Sequence, residues 1–338
     1  MKVTYKIFEL PFKHPFTISK ASKNVQPTLV IELEYFGIKG YGEAPAISYY
    51  NITVEKMVED LEKKRKFVEQ FAFSDPERYW HYLHHLFPNN SFLVCALDMA
   101  GWDLYGKIKK KQLNEIWQLD VANAPLTDFT IGIADVESML NKIKEKPWPI
   151  YKIKVGFEND IETIAMLRQH TNAAFRVDVN GAWNVEEAMN KIPLLKNLGV
   201  ELVEQPLAKD DWDGMKVLYQ NSSIPLFADE SCVAEADIKK CKDFFHGINI
   251  KLTKCGGITP ARRMIAEAKS LNLQVMLGCM NESAVGTAAI AQLAPLVHYV
   301  DMDGTLLQTS SVAEGVEIHD GKYLYNNLPG LGIASVLM

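Results

Sequence analysis

The chain has 338 residues, 48% hydrophobic and 23% charged, with a formal net charge of −6. That length exceeds one average domain and suits a large core carrying an extra module. Its basic residues are scattered and no apolar stretch approaches the roughly 20 residues that span a bilayer, so neither nucleic acid nor a membrane is expected as a partner.

Residues 1–118 are expected to form an α+β capping domain. Val3, Tyr5, Ile7 and Leu10 begin a strand, Thr28 to Tyr35 gives another, and Gly37 and Gly40 punctuate a hairpin before GYGEAP. The N-terminal MKVTYKIFELPFKHPF alternates like a strand and lacks the apolar region of a signal peptide. Thr53 opens a helix with Met57, Leu61 and Phe67 at 3–4 spacing, and Ser91 precedes the apolar run Phe92 to Tyr105. Residues 119–305 change period. Strands are predicted at Phe129–Ile133, Ile150–Val155, Phe175–Val179, Val200–Glu204, Leu226–Asp229, Ile248–Lys251, Gln274–Leu277 and Tyr299–Asp303. Helical stretches such as Asp160–Arg168, Val185–Leu198 and Pro260–Leu271 lie between them. The fold class is therefore α/β, a parallel (β/α)8-type barrel; a Rossmann sheet would need a GxGxxG turn after a strand, and none is present. Residues 306–338 are expected to be loop-like, with a hairpin of Val316–Ile318 and Tyr323–Tyr325, and to return to the capping domain.

Five of the predicted strands close on charged residues. Lys152 and Lys154 lie in IYKIKV, Asp178 in FRVDVN, Glu204 in VELVEQ, Asp229 in PLFADES and Lys251 in GINIKL. From Lys154 onward the gaps are 24, 26, 25 and 22 residues, about one strand, one helix and two loops each. An unpaired buried charge costs several kcal/mol, and barrels of this kind gather their chemistry at the C-terminal ends of the strands. Three carboxylates on successive strands can converge on one point. Oxygen ligands without His or Cys suit a hard divalent cation, Mg²⁺ above all; the alternative is that each caps a helix or pairs with a lysine. Lys152 and Lys154 share one strand face, and Lys251 lies across the barrel. A base on each side of a substrate permits proton removal from one face and return to the other, as in racemisation or epimerisation; the alternative is plain neutralisation of the acidic cluster.

YKIKVG, VDVNGAW, VEQPL, ADES, NIKLTKCGG and VDMDG resemble the enolase superfamily, specifically its muconate-lactonising-enzyme branch. GYGEAP and ALDMAGWDLYGK extend the likeness over the cap. The resemblance refines the expected barrel to the modified (β/α)7β form and implies one Mg²⁺ per subunit on Asp178, Glu204 and Asp229. It implies Lys154 and Lys251 as the acid/base pair through an enediolate, and Lys152 as activator of Lys154 and contact to the substrate carboxylate. Asn180 and Glu230 would support the metal ligands. Within the branch, the Asp301-x-Asp303 pair is similar to that of dipeptide epimerases, which anchor the dipeptide amino group there; structural salt bridges with the cap are the alternative. An L-Ala-D/L-Glu dipeptide from murein peptides is then the expected substrate. N-acyl amino acid racemisation or o-succinylbenzoate synthesis is the enzymatic alternative, and a non-catalytic barrel that binds peptides or sugar acids is the alternative of another class.

The loop Phe16 to Lys23 is expected to reach over the barrel mouth, with Lys20 or Lys23 as the cation for an acidic side chain. Cys279, Met280 and Asn281 would shape the pocket and Thr130 would touch the substrate, while Lys254, which follows the strand end, is expected to be a loop residue or electrostatic support. His81, His84 and His85 read as helix-surface residues, and His298 as the bottom of the last strand. Five cysteines without a CxxC pair point to reduced thiols and a cytoplasmic location. The expected partner is a small dipeptide, and a homo-oligomer is left open.

Overall fold

The computed structural model describes residues 1–19 and 21–338. A long antiparallel hairpin opens the chain, β1 (Lys2–Ile18) with β2 (Ala21–Tyr35), and β3 (Ile38–Pro45) pairs along the other edge of β2. Helices α1 (Val54–Gln70), α2 (Pro76–Leu86), α3 (Ser91–Lys109) and the single turn α4 (Leu113–Ile116) complete the cap. Thr53 caps α1 by accepting from the Lys56 N–H, as its side chain suits it to do. The alternation GYG in β3 has a packing reason: a Cβ on Gly40 or Gly42 would collide with the backbone of α3 at Ala100 or Ala96. Sheet and helix therefore meet backbone to backbone. His81, His84 and His85 lie exposed on α2, and His84 stacks on Trp80.

The barrel comprises β4 (Phe129–Ile131), β5 (Ile150–Lys154), β6 (Ala174–Asp178), β7 (Val200–Glu204), β8 (Leu226–Ala228), β9 (Gly247–Lys251), β10 (Gln274–Gly278) and β11 (Tyr299–Asp301). All pairings are parallel and follow chain order from β4 to β11. Around them lie α5 (Val136–Glu145), α6 (Asp160–Arg168), α7 (Val185–Asn197), α8 (Trp212–Asn221), α9 (Ile238–Cys241), α10 (Leu252–Cys255), α11 (Ile258–Ser270), α12 (Ala284–Leu293) and α13 (Gly304–Leu307). The eight predicted strands are thus all present, and the α/β barrel with a cap is the observed fold. Five strands end earlier than predicted, so that Ile133, Val155, Val179, Asp229 and Asp303 lie beyond the ladder. At Asp229 the reason is visible: its N–H leaves the strand pattern to donate to the Gln205 side chain, 3.0 Å away.

The first and last strands meet through one bridge, Thr127 to Val300, reinforced by side chains. Thr127 Oγ1 accepts from Met302 N–H, and buried Arg176 donates both to Val300 O and to Asp128 Oδ2. Below the mouth the barrel is plugged by Leu202, Phe227 and Met276 packed against Tyr299. His298 sits at the bottom of β11 and accepts from Val275 N–H. The predicted C-terminal hairpin forms about the expected turn, its strands lying closer to it, with Ile318–His319 pairing Lys322–Tyr323. The last segment touches both parts: Leu331 N–H donates to Asp103 of α3, and Leu331 O accepts from Gln292 of α12. Among the described residues no helix is long and apolar enough to cross a membrane.

Candidate active site

Strand register decides which charges meet. Lys154 on β5 lies level with Asp178 on β6, which lies level with Glu204 on β7. On the far side Lys251 of β9, Gly278 of β10 and Asp301 of β11 occupy one row. Since strand side chains alternate between barrel interior and helix layer, each of these rows points inward at the C-terminal end. Lys154, Lys251 and Asp301 of these rows, with Lys152 and Asp229, line a cavity of about 340 Å³ between barrel and cap.

Asp178, Glu204 and Asp229 converge as expected, each offering a carboxylate oxygen within 4.8 Å of the others. The lysines supply the counter-charge. Lys154 Nζ donates to Asp178 at 2.5 Å and Lys251 Nζ to Asp229 at 2.7 Å. Lys152, level with Thr130 and Arg176, lies one layer deeper and reaches Asp301 at 2.7 Å, Glu204 at 2.8 Å and Asp178 at 3.2 Å. Burial opposes ionisation throughout, but these partners win at most positions. Lys154 and Lys152 hold Asp178 down at about 2, and Lys251 and Lys254 hold Asp229 well below the usual carboxylate range. Lys152 and Lys251 are in turn raised, against the pull of burial, by Asp301 and Asp229 respectively. Glu204 is the exception: burial and then the Asp178 charge push it up to about 7.

That imbalance, with the donor set, tests the site for a metal. Three carboxylates and no nitrogen or sulfur ligand form an oxygen-only set. Glu230 Oε2 and Asn180 Oδ1 beside the cluster accept no hydrogen bond, and Glu204 Oε2 has the Lys152 ammonium 2.8 Å away as its counter-charge. A hard divalent cation with its waters fits these residues. Asn180 N–H braces Asp178 and Asn180 Nδ2 donates to Glu230, so both predicted supports stand next to the cluster.

Across the cavity Asp301 and Asp303 come together with Cys279, their ligand atoms again within 4.8 Å. Asp301 is held low by Lys152 despite its burial. Asp303, whose Oδ2 accepts the Thr130 N–H, is pushed up to about 7 by burial and by Asp301. Among the described residues neither carboxylate is paired with the cap: Asp301 accepts from Lys152 and Asp303 from the Thr130 N–H, both of the barrel. Thr130, Cys279, Met280 and Asn281 all line the cavity.

The cap supplies the roof. Phe16, Ile18, Ala21 and Lys23 from the hairpin tip and Ser48, Tyr49 and Tyr50 from a short 3₁₀ turn close over the mouth. Thr17 O accepts from Ile133 N–H, fixing the hairpin on the barrel rim. Lys20 lies outside the described residues, whereas Lys23 faces the cavity. Burial lowers Tyr50's tendency to ionise, with Asp229 adding to the effect.

Gln205 and Asn249 were not singled out from the sequence, and Lys254 gives the electrostatic support expected of it from an unexpected place. Lys254 is not in a loop but on α10, where its buried ammonium binds Asp229 Oδ1, Asp229 O, Cys232 O and Asn249 O. It fails to read as buried because it follows the strand end. Gln205 braces the Asp229 loop through Asp229 N–H and Ser231 N–H. Asn249 Nδ2 donates to Glu204 Oε1; it alternates with Lys251 on β9, so the same period-two reasoning finds it.

Comparison with known proteins agrees with this geometry. Residues 135–335 match the enolase C-terminal domain-like family, and residues 2–117 match the mandelate racemase / muconate lactonizing enzyme N-terminal domain. The chain belongs to this family, as its motifs suggested. An L-Ala-D/L-amino acid epimerase of Flavobacterium johnsoniae is 50% identical over 98% of this chain and 99% of its own. The substrate-liganded L-Ala-D/L-Glu epimerase of Bacillus subtilis is similar in structure with a TM-score of 0.94 at 25% identity, covering 99% of both chains. The dipeptide epimerase of Enterococcus faecalis V583, complexed with Mg and L-Leu-L-Tyr, has a TM-score of 0.90 at 27% identity over 99% of both.

Proposed function

We propose that this protein is a Mg²⁺-dependent dipeptide epimerase, an isomerase that inverts the α-carbon of the C-terminal residue, with L-Ala-D/L-Glu as its substrate and one ion per chain. The observation that carries this reading is the pair Lys154 and Lys251. They extend into one cavity from β5 and β9, four strands apart around the barrel, with Asp229 of the carboxylate triad, Asp301 and Asp303 lining it as well. The names of the similar proteins support it.

Asp178, Glu204 and Asp229 would hold Mg²⁺, which supplies positive charge where the substrate carboxylate gains electron density on deprotonation. Asp301 and Asp303 hold the dipeptide ammonium, which fixes the α-carbon of the second residue between the lysines. One lysine amine takes the α-proton, and the ammonium of the other returns a proton to the opposite face. Lys152 stays protonated among its carboxylates and lends charge to the substrate carboxylate. The hairpin roof excludes water, and Lys23 meets the acidic side chain.

The test is proton NMR in D₂O with Mg²⁺ and a panel of L-Ala-L-Glu, L-Ala-L-Leu and N-acetylated amino acids. Loss of the C-terminal α-proton signal with appearance of the diastereomer is expected, fastest for L-Ala-L-Glu. Lys154→Ala and Lys251→Ala should each cut epimerisation by about 10² to 10⁴ while exchange persists from one stereoisomer only. Faster turnover of the N-acyl compounds, or full activity in both variants, would overturn the reading.

A further inference from the structure

We propose that Cys279, Asp301 and Asp303 form a second cation site, one that takes a thiophilic divalent ion of the zinc class and is distinct from the oxygen-only triad. The three side chains are at least nine-tenths buried yet line the cavity. Each carboxylate has its outer oxygen fixed by another group: Lys152 donates to Asp301 Oδ2 and the Thr130 N–H to Asp303 Oδ2. The remaining oxygens, both Oδ1, face the sulfur at 3.9 Å and 3.7 Å. A tetrahedral ion with a bond of about 2.3 Å to sulfur and about 2.1 Å to oxygen needs its ligand atoms roughly 3.6 Å apart. Both sulfur–oxygen separations therefore stand within a few tenths of an ångström of that spacing, and the two carboxylates offer oxygens within 4.8 Å of each other beside the cavity. Their orientation by a lysine and a backbone amide is the outer support that metal ligands ordinarily have.

Charge points the same way. Among the described residues the triad forms ion pairs with Lys154, Lys251 and Lys254, whereas the Asp301 and Asp303 pair shares one, from Lys152 to Asp301. Sulfur selects the ion: a thiolate favours Zn²⁺ or Co²⁺ over Mg²⁺, so Mg²⁺ on the triad leaves this site open. On binding, the Cys279 S–H bond breaks, a metal–sulfur bond forms and the proton passes to solvent; no oxidation state changes. If the function proposed above holds, the ion occupies the place of the dipeptide ammonium, and zinc-class ions compete with substrate.

Mg²⁺-saturated protein titrated with Co²⁺ tests this, because cobalt–thiolate charge-transfer absorption arises only when sulfur is a ligand. A band saturating at about one equivalent is expected, bleached by Zn²⁺ and lost in Cys279→Ser. Asp303→Asn should keep the band but weaken Co²⁺ binding about tenfold or more. Thermal unfolding of both variants establishes that they fold. No band in the natural protein, or an equal band in Cys279→Ser, would overturn the site. L-Ala-L-Glu should displace Co²⁺ and its N-acetyl derivative should not. Retention of the band with both overturns the competition but not the site, whereas failure of the epimerase reading shows separately as absence of α-proton exchange.

Discussion

Lys23 stands over the cavity with its ammonium 5.7 Å from the ring centres of both Phe12 and Phe16, hydrogen-bonded to Gln26. Burial lowers it to about 8, with Glu282 and Cys279 opposing and Lys154 and Lys251 assisting. Below that pH it is a cation facing substrate, and above it a neutral amine. The kcat/KM for L-Ala-L-Glu, divided by that for L-Ala-L-Leu, should therefore fall as pH rises through about 8, since titration of the free enzyme and of the shared dipeptide ammonium governs this ratio only through Lys23. Lys23→Met should abolish the slope and lower the ratio itself. A ratio flat from pH 6 to 10 in the natural protein would remove Lys23 from substrate reading. Sequence alone placed two lysines in this loop and could not rank them; Lys23 reaches the cavity through the hairpin register, Phe16 opposite Lys23 and Thr17 opposite Ser22.

At the scale of elements, the cap grips the barrel through carboxylates set on helix N-termini. Glu43 of β3 accepts from Ser283 N–H, Ser283 Oγ and Gly286 N–H at the start of α12. Asp98 of α3 accepts from Thr259 N–H and Thr259 Oγ1 at the start of α11. Both are fully buried, and a helix N-terminus offers unsatisfied donors and a favourable dipole to such groups. Glu43→Ala or Asp98→Ala leaves those donors without partners, so each should lower stability by about 1–3 kcal/mol in urea unfolding. Asp98 also carries a pH signature. Burial raises it from 3.8 to about 7 against its hydrogen bonds from Thr259. A raised carboxyl favours the folded state below its unfolded pKa, and that contribution is lost as pH rises through about 7. Asp98→Asn should flatten the loss of stability between pH 4 and 7; an unchanged profile would assign that loss to other groups. The motifs GYGEAP and ALDMAGWDLYGK contain both residues, but nothing in their local pattern tells a helix cap in another domain from a surface acid.

For the whole molecule, closure of the barrel rests on a thin seam. One bridge joins Thr127 to Val300, and Arg176 ties Val300 O to Asp128 from inside while its guanidinium lies 5.0 Å from the Tyr299 ring centre. Arg176→Met would leave Asp128 buried and uncompensated, at a cost of about 3–5 kcal/mol. The double variant Arg176→Met with Asp128→Leu should recover most of it, because apolar groups of similar volume replace a buried pair with little loss. Thermal unfolding of the pair of variants measures both; equal losses would show that the ring packing, not the ion pair, holds the seam.

Alternation and spacing were sufficient for the barrel and for Lys152, Lys154, Asp178, Glu204, Asp229 and Lys251. A charge at the end of an apolar strand has few stable places to go, and a repeating βα unit sends all of them to the same rim. Strand ends were less legible, since Asp229 and Asp303 leave the ladder only because Gln205, Lys254 and Thr130 are there to receive them. The tertiary structure alone decided that Lys23 lines the cavity roof, how Glu43 and Asp98 lock two parts of the chain together, and that Cys279 sits between two carboxylates. Those are contacts between residues far apart in sequence, and their strength depends on burial and on partners that no local period encodes.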